Sequence, residues 1–343
     1  MERETKERLN KLVAGFQAYQ NDKHIDENAD ASEQKKGEQD IKYSICQVVK
    51  AAQNGSRAEK QEKPFFLVLP LLLHRAFINL YRQPLLITNR MSQGLFYGLI
   101  LSCFYAPIGD DQNSIQNRIG NLYELTAICF IGMLSCIAIY PIERNVFYRE
   151  YPDGYYSAYA YILCYFAISI PLLVATSLGI AALICYAVGL APDASDMMQF
   201  TYCIFTFLFV GECLGVIFCS AFIHVGFAVN IMSAVLSFFS IMSGYISLNM
   251  PVALTYLSYI SPLMWGSFIL SNLTFDGETF SCDDADSGIC YTTGEEVLDV
   301  YNLNKGSGWR SMSFHYYILT MISVLYLFGA VFAVRMRARV LSH

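Results

Sequence analysis

YPIERNVFYREYPDGYY, residues 140–156, is a short charged stretch between two of the longest apolar runs in the sequence. If this stretch is helical, the spacing places Glu143, Phe147 and Glu150 on one face. Charges of both signs around one exposed aromatic ring favour a surface that docks on another protein. The alternative is a solvated turn between two membrane helices. Which of the two holds depends on the side of the membrane on which the stretch lies.

The composition of the chain indicates a membrane protein. Of its 343 residues, 55% are hydrophobic and only 15% are charged, whereas a soluble domain carries about 25% charged residues. The 24 tyrosines and 24 phenylalanines suit the two interfaces of a bilayer, where amphipathic rings collect. The net charge of −6 lacks the basic character of nucleic-acid binding. The sequence therefore predicts that the chain contacts the lipid bilayer and binds no nucleic acid.

Residues 1–63 are polar and predict a cytosolic linker. Only Glu7–Gln20 shows apolar residues at helical spacing, which predicts a short amphipathic helix. The region has no apolar core of the kind that signal peptides contain, so we expect the first membrane helix to direct insertion. It is followed by Phe65–Gln83, which has an apolar and a basic side and is ended by Pro84. This pattern predicts a helix lying along the membrane interface.

The apolar segments that follow predict an all-α membrane protein with six spans. We place the spans at about Leu85–Ile108, Arg118–Ile142, Ala158–Val188, Met198–Ile223, Val225–Leu248 and Met312–Val334. A further apolar run, Ala253–Leu273, contains Pro262 and several serines. We interpret it as a re-entrant or interfacial helix within an outer loop at residues 249–311. Seven spans are the alternative.

Basic residues near the span ends predict the orientation of the chain in the membrane. One set of ends carries Arg75, Arg82, Arg90, Arg144, Arg149, Arg335, Arg337 and Arg339. The opposite loops are acidic, and Phe275–Gly308 contains Lys305 as its only base. We therefore expect both termini and residues 140–156 to be cytosolic and the large loop to be outside. The membrane itself, plasma or organellar, is not specified by the sequence.

Two modifications are predicted in the outer loop. Cys282 and Cys290 lie in its polar, acidic part and predict a disulfide in an oxidising compartment. Asn272-Leu273-Thr274 is a sequon for N-glycosylation, close to the expected membrane surface.

No catalytic or metal-binding motif is evident in the sequence. Phosphate-binding loops, dinucleotide fingerprints, HExxH and GxSxG are absent, and the five histidines lack metal-ligand spacing. We therefore expect no ATP hydrolysis by this chain alone. Ionisable residues inside spans are costly and mark functional or paired groups. Glu124 predicts a polar contact or an attraction for a cation, unless it is hydrated at the outer interface. Glu212 is deeper, and Asn230 or a serine is its candidate partner.

Four short stretches together carry a resemblance to a known family. They are Ile115-Gln116-Asn117-Arg118; Glu143-Arg144-x-x-Phe147-x-Arg149-Glu150 with Gly154-Tyr155-Tyr156; Ser243-Gly244; and Cys290-x-x-x-Gly294-Glu295-Glu296. From about Phe65 to its C-terminus, the chain resembles the membrane half of white/pigment-type (G-subfamily) ATP-binding-cassette half-transporters. The resemblance implies that residues 64–343 form the transmembrane domain.

The resemblance also implies roles for particular residues. Phe65–Gln83 becomes the connecting helix, and the charged stretch becomes the coupling helix, with Glu143, Arg144, Phe147, Arg149, Glu150, Tyr155 and Tyr156. The axial substrate cavity is expected at Tyr123, Glu124, Ala127, Ile128, Ile131, Ser237 and Ser240. An outer valve is expected at Tyr245 and Ile246, where relatives have an apolar pair. These cavity residues differ from the aromatic and amide residues of drug-exporting relatives, so the substrates of those relatives cannot be assigned to this chain.

The family's nucleotide-binding domain is not found in this sequence, and Glu7–Gln20 resembles the stretch that follows it. The leading hypothesis is a permease subunit of an exporter of hydrophobic or amphipathic compounds, as a homo- or heterodimer. ATP and Mg²⁺ would bind to an associated nucleotide-binding domain. The alternative is a truncated, non-transporting partner that regulates a full half-transporter. A channel or receptor ranks third, because no selectivity-filter stretch is present.

Overall fold

The computed structural model describes residues 65–190, 193–246, 251–281, 290–303 and 311–342. All of them belong to one structural unit, residues 61–343. The linker predicted at residues 1–63, its helix Glu7–Gln20 and Cys282 lie outside the described residues.

The described ranges are mainly helical, as the apolar segments predicted. Their extended residues form only two isolated β-bridges, Asp111 with Ser281 and Thr279 with Thr293. The helices in chain order are α1 (Phe65–Arg82), α2 (Pro84–Tyr105), α3 (Gln112–Ala127), α4 (Cys129–Glu150), α5 (Ala158–Ala182), α6 (Ala194–Ala221), α7 (Val225–Ile241), α8 (Val252–Ser258), α9 (Pro262–Phe275), α10 (Gly294–Val300) and α11 (Met312–Ser342). A π-helix, Leu183–Val188, extends α5.

Four helical segments in the described ranges are long and apolar enough to cross a bilayer, namely Gln112–Glu150, Ala158–Val188, Ala194–Ala221 and Met312–Val340. Helices α8 and α9 meet at 83° and count as a fifth span if they form one broken span. This bend agrees with the interpretation of Ala253–Leu273 as something other than a straight span. Helix α7 is shorter than a typical span, with 17 residues. An all-helical membrane protein is confirmed, whereas the number of six spans is not.

Helix α6 lies at the centre of the bundle. It packs against α4, α5 and α11. Within its most apolar stretch of 18 residues, 83% is buried inside the protein. Phe200, Ile204 and Phe207 along it are fully buried. A helix that is apolar on all sides is expected where neighbouring helices, rather than lipid, surround it. By contrast, only 22% of the most apolar 18-residue stretch of α11 is buried. This helix exposes Leu325, Phe328 and other large apolar residues.

Candidate functional site

The charged stretch is the end of a long helix rather than a separate one. Helix α4 continues through Pro141 to Glu150, and a turn over residues 151–156 leads into α5. Gly154 adopts a positive φ of 75° in this turn, a conformation that glycine accepts without a steric cost. The Ser157 hydroxyl then caps α5 by accepting the N–H of Ala160. Residues 140–150 are therefore part of α4, and residues 151–156 form the turn that joins it to α5.

Phe147 is the centre of an aromatic cluster inside the protein. Its ring is fully buried and stacks on Tyr161 of α5 with 4.4 Å between the ring centroids. Tyr151 and Tyr156 lie 5.3 and 5.9 Å from the same ring. The interpretation of Phe147 as an exposed docking ring is therefore wrong, since Tyr161 of α5 and the tyrosines of the turn cover the ring. The exposed ring of the turn is Tyr155, with 54% of its surface accessible.

Glu150 joins three segments of the chain at this end of the bundle. Arg75 of α1 donates from Nη1 to both of its carboxylate oxygens, at 2.9 and 3.0 Å. The Tyr156 hydroxyl donates to Oε2 at 2.6 Å. Burial, together with this bond to a carboxylate, raises the pKa of Tyr156. The neighbouring Glu143 and Arg149 are exposed on α4.

Arg144, in contrast, is buried and faces the end of α6. Its guanidinium donates to the carbonyl oxygens of Cys219, Phe222 and Ile223 and lies 5.7 Å from the ring centroid of Tyr148. These contacts link the cytosolic end of α4, as the sequence orients it, to the turn between α6 and α7.

A buried ion pair connects α2 with α6. Arg90 Nη2 donates to Glu212 Oε1 at 2.6 Å, and the Tyr165 hydroxyl donates to the same oxygen at 2.8 Å. Arg90 Nη1 also donates to Ser169 at 3.1 Å. The prediction that Glu212 is paired is confirmed, but Asn230 is not its partner and lies exposed on α7. Sequence reasoning noted Arg90 and Glu212 separately and missed their pairing, although two opposite charges inside spans each require a partner.

The residues assigned to the substrate cavity differ in their exposure. Ile128, Ile131 and Ser240 are buried within the chain, whereas Ser237 is exposed. Ile131 lines a small cavity inside the chain, together with Arg90, Ser135, Leu172, Leu173, Thr176 and Leu208.

Three other cavity candidates, Tyr123, Glu124 and Ala127, are half-buried on α3. Glu124 accepts a hydrogen bond from the Tyr97 hydroxyl of α2 at 2.8 Å, so the predicted polar contact between helices is present. A shared axial cavity stays a prediction.

The two residues assigned to an outer valve point in different directions. Tyr245 is buried, and its hydroxyl donates to the Ser267 carbonyl at 2.9 Å, with Ser271 Oγ at the same distance. Ile246 is 56% exposed. The valve function stays a prediction.

Glu278 and Tyr291, which the sequence assigns to an outer loop, contact the α2–α3 connection and the start of α3, a link that the sequence did not indicate. Gln112 donates to the Tyr291 carbonyl at 2.7 Å and accepts the Tyr291 N–H at 3.2 Å. Buried Arg118 lies 3.4 Å from Asp110 and 3.8 Å from Glu278. Residues more than 150 positions apart meet here, so no local pattern reveals the contact.

The described residues include the predicted glycosylation site, Asn272, but only one cysteine of the predicted disulfide, Cys290. Asn272 is buried, and its Nδ2 donates to the carbonyls of Phe268 and Leu303, both at 2.8 Å. This geometry leaves no room for a glycan, and we propose none. The pairing of Cys282 with Cys290 stays a prediction, since Cys282 lies outside the described residues.

The fold and these contacts define a multi-pass, all-helical membrane protein with a polar network between its spans. The family model of the ABC-2 type transporter matches residues 68–274, more than half of the chain. The chain belongs to this family, as the resemblance implied.

Known proteins of the ATP-binding-cassette class are similar to the chain. An uncharacterized ABC transporter ATP-binding protein/permease of Saccharomyces cerevisiae is 34% identical over 73% of this chain and 20% of its own length. The human ATP-binding cassette sub-family G member 5 is 27% identical over 67% of this chain and 36% of its own length. ABC transporter G family member 20 of Arabidopsis thaliana is 28% identical over 53% of this chain and 25% of its own length. The chain thus spans about a fifth to a third of the length of these relatives.

Proposed function

We propose that the chain is the membrane-spanning permease part of an ATP-binding-cassette exporter of hydrophobic or amphipathic compounds such as lipids, sterols or xenobiotics. The observation that carries this proposal is the junction at Glu150. The carboxylate binds Arg75 of α1 and Tyr156 of the turn, and it lies at the end of a helix that continues into the membrane. A force applied at residues 140–156 therefore acts on α1 and α4 together.

In the proposed mechanism, this chain undergoes the conformational change that moves the substrate, and ATP is hydrolysed elsewhere. ATP and Mg²⁺ bind to an associated nucleotide-binding domain, whose closure pushes on the Tyr140–Tyr156 segment as a coupling helix. The spans of a homo- or heterodimer then switch between inward- and outward-open arrangements. Buried Phe147 transmits the force to α5 by packing, and Tyr155 supplies the exposed ring at the surface.

The proposed membrane layout has six spans with both termini in the cytosol. Helices α2, α6, α7 and α11 each form one span, and the segments Gln112–Glu150 and Ala158–Val188 form the other two. Helix α1 lies along the interface, and α8 with α9 re-enters from the outside. The arginines at the α1, α4 and α11 ends support this orientation.

The test uses the chain assembled with its nucleotide-binding domain in lipid nanodiscs and in vesicles containing a fluorescent phospholipid. We expect Glu150→Gln and Glu143→Ala to lower the amount of probe moved per ATP hydrolysed. The first weakens the ion pair with Arg75, and the second removes an exposed carboxylate that is proposed to contact the nucleotide-binding domain. Glu295→Gln, an exposed change on the outer segment, is the matched control. Unchanged transport per ATP in both coupling variants would show that the coupling role is wrong. ATP hydrolysis without any movement of the probe in the wild type would favour a non-transporting regulatory partner.

A further inference from the structure

Three glycines bring the backbones of α4 and α6 into direct contact. A Cβ atom at Gly132 would lie 2.1 Å from the Leu208 carbonyl oxygen, and one at Gly211 would lie 2.0 Å from the Cys129 carbonyl oxygen. A Cβ at Gly215 would lie 2.7 Å from the Cys136 side chain. Close approach of this kind through small residues is how membrane helices associate tightly. The two helices are therefore packed as one pair along the membrane part of α4.

The same pair is joined by polar contacts towards its other end. The Tyr140 hydroxyl lies 2.6 Å from Ser220 Oγ. One turn further along α4, Arg144 donates to Cys219, Phe222 and Ile223. The last carbonyls of a helix have no partner within that helix, and they carry the negative end of its dipole. The guanidinium of Arg144 therefore caps α6 from the neighbouring helix and fixes the turn that follows it.

Helix α6 distributes any motion of this pair to other helices. Its Glu212 accepts from Arg90 of α2 and from Tyr165 of α5, and all three side chains are buried. A contact that holds α6 to α4 consequently holds the coupling segment to two further helices.

We propose that Arg144 is a positioning residue that makes the last turn of α6 move with α4, and so extends to that end the two-helix lever that the glycine contacts form. This inference rests on the proposed function, because the lever matters only if residues 140–156 receive a force. A purely structural Arg144 would stabilise the end of α6 without deciding whether that end follows α4.

The first measurement is hydrogen–deuterium exchange of the full chain in nanodiscs. We expect Arg144→Met to accelerate exchange in the last turn of α6 roughly tenfold, since the capped turn can then open. Arg144→Lys, which keeps the charge but not the planar fork of donors, should give a smaller increase. Arg149→Met removes the same charge from an exposed position on α4 and serves as the control for this readout. Equal exchange in the wild type and in Arg144→Met would overturn the cap.

The second measurement compares exchange with and without ATP in the complex with the nucleotide-binding domain. In the wild type we expect α4 and α6 to respond together. In Arg144→Met we expect the last turn of α6 and the turn that follows it to lose most of their response, whereas the part of α6 that touches the α4 backbone at the glycines still follows α4. If Arg144→Met does not fold, Arg144→Lys replaces it, with a reduced response of the last turn of α6 expected. An undiminished response of the last turn of α6 in either variant would overturn the role of Arg144 in the lever and leave the proposed function standing. A wild type in which neither helix responds to ATP would overturn the proposed function itself.

Discussion

Arg90 and Glu212 are 122 positions apart in the sequence and form a buried ion pair, with Nη2 at 2.6 Å from Oε1. The Glu212 side chain is inaccessible to solvent, and that of Arg90 is 8% exposed. Two charges in such a place are tolerated because each neutralises the other and Tyr165 adds a donor to the carboxylate. The pair fixes the position of α2 relative to α6.

Removing one member of this pair should destabilise the protein strongly. Arg90→Met leaves the Glu212 carboxylate buried without its counter-ion, and breaking a buried pair in this way costs about 3–5 kcal/mol. The double variant Arg90→Met/Glu212→Leu leaves no unpaired charge and should recover most of that loss. Thermal unfolding of the purified chain in detergent measures both effects. A double variant less stable than Arg90→Met would contradict the pairing.

Truncation of Phe147 should also destabilise the protein, by about 3–5 kcal/mol, because its ring is fully buried among tyrosines. Phe147→Leu should cost less, since most of the apolar volume remains. The neighbouring Val146 is exposed, so Val146→Ala should change the unfolding temperature little. If Phe147→Ala unfolds like Val146→Ala, the ring does not pack against Tyr161.

Local patterns in the sequence predicted much of this fold. Apolar runs of span length predicted helices over most of residues 118–142, 158–188, 198–223 and 312–334, although α6 already ends at Ala221. Pro262 and the serines around it indicated that Ala253–Leu273 is not a straight span. Such features depend on neighbouring residues alone. The number of spans was harder to predict, because α2 mixes polar with apolar residues and α7 has only 17 residues.

The candidate site was harder to predict because its contacts join distant parts of the chain. The spacing of Glu143, Phe147 and Glu150 suited a common helix, which the structure contains, but it could not show that Tyr161 of α5 stacks on Phe147. Likewise, nothing near Gln112 in the sequence indicates Tyr291, its hydrogen-bond partner. Burial and pairing of this kind follow from how the helices pack, which local periodicity does not specify.

Acidification should loosen helix α10 through Glu296. The backbone N–H of Thr292 donates to this carboxylate at 2.8 Å, and that of Thr293 does so at 3.5 Å within a capping box. The bonds to these amides lower the pKa of Glu296. A lowered pKa in the folded state means that the stabilisation is present at neutral pH, above the ordinary pKa of glutamate of about 4.3, and is lost as the pH falls through the folded value.

We therefore expect amide exchange in Gly294–Val300, corrected for its intrinsic pH dependence, to lose protection below about pH 4. Glu296→Gln still accepts hydrogen bonds but does not titrate, so this loss should disappear. Glu295→Gln, at the exposed neighbouring position, should keep it. A loss of protection that survives in Glu296→Gln would assign the acid response to another group.

Adding a methyl group at Gly211 should separate α4 from α6. The new Cβ would lie 2.0 Å from the carbonyl oxygen of Cys129, and backbone atoms cannot move aside as a flexible side chain can. We expect Gly211→Ala to cost at least about 1–3 kcal/mol, the usual range for overpacking. Gly226→Ala places the same methyl group on α7, where no atom lies within 4 Å, and should change stability little. Thermal unfolding of both variants in detergent provides the comparison. If Gly211→Ala were as stable as Gly226→Ala, the backbones of α4 and α6 would not be in contact, and Arg144 would have no rigid pair to complete.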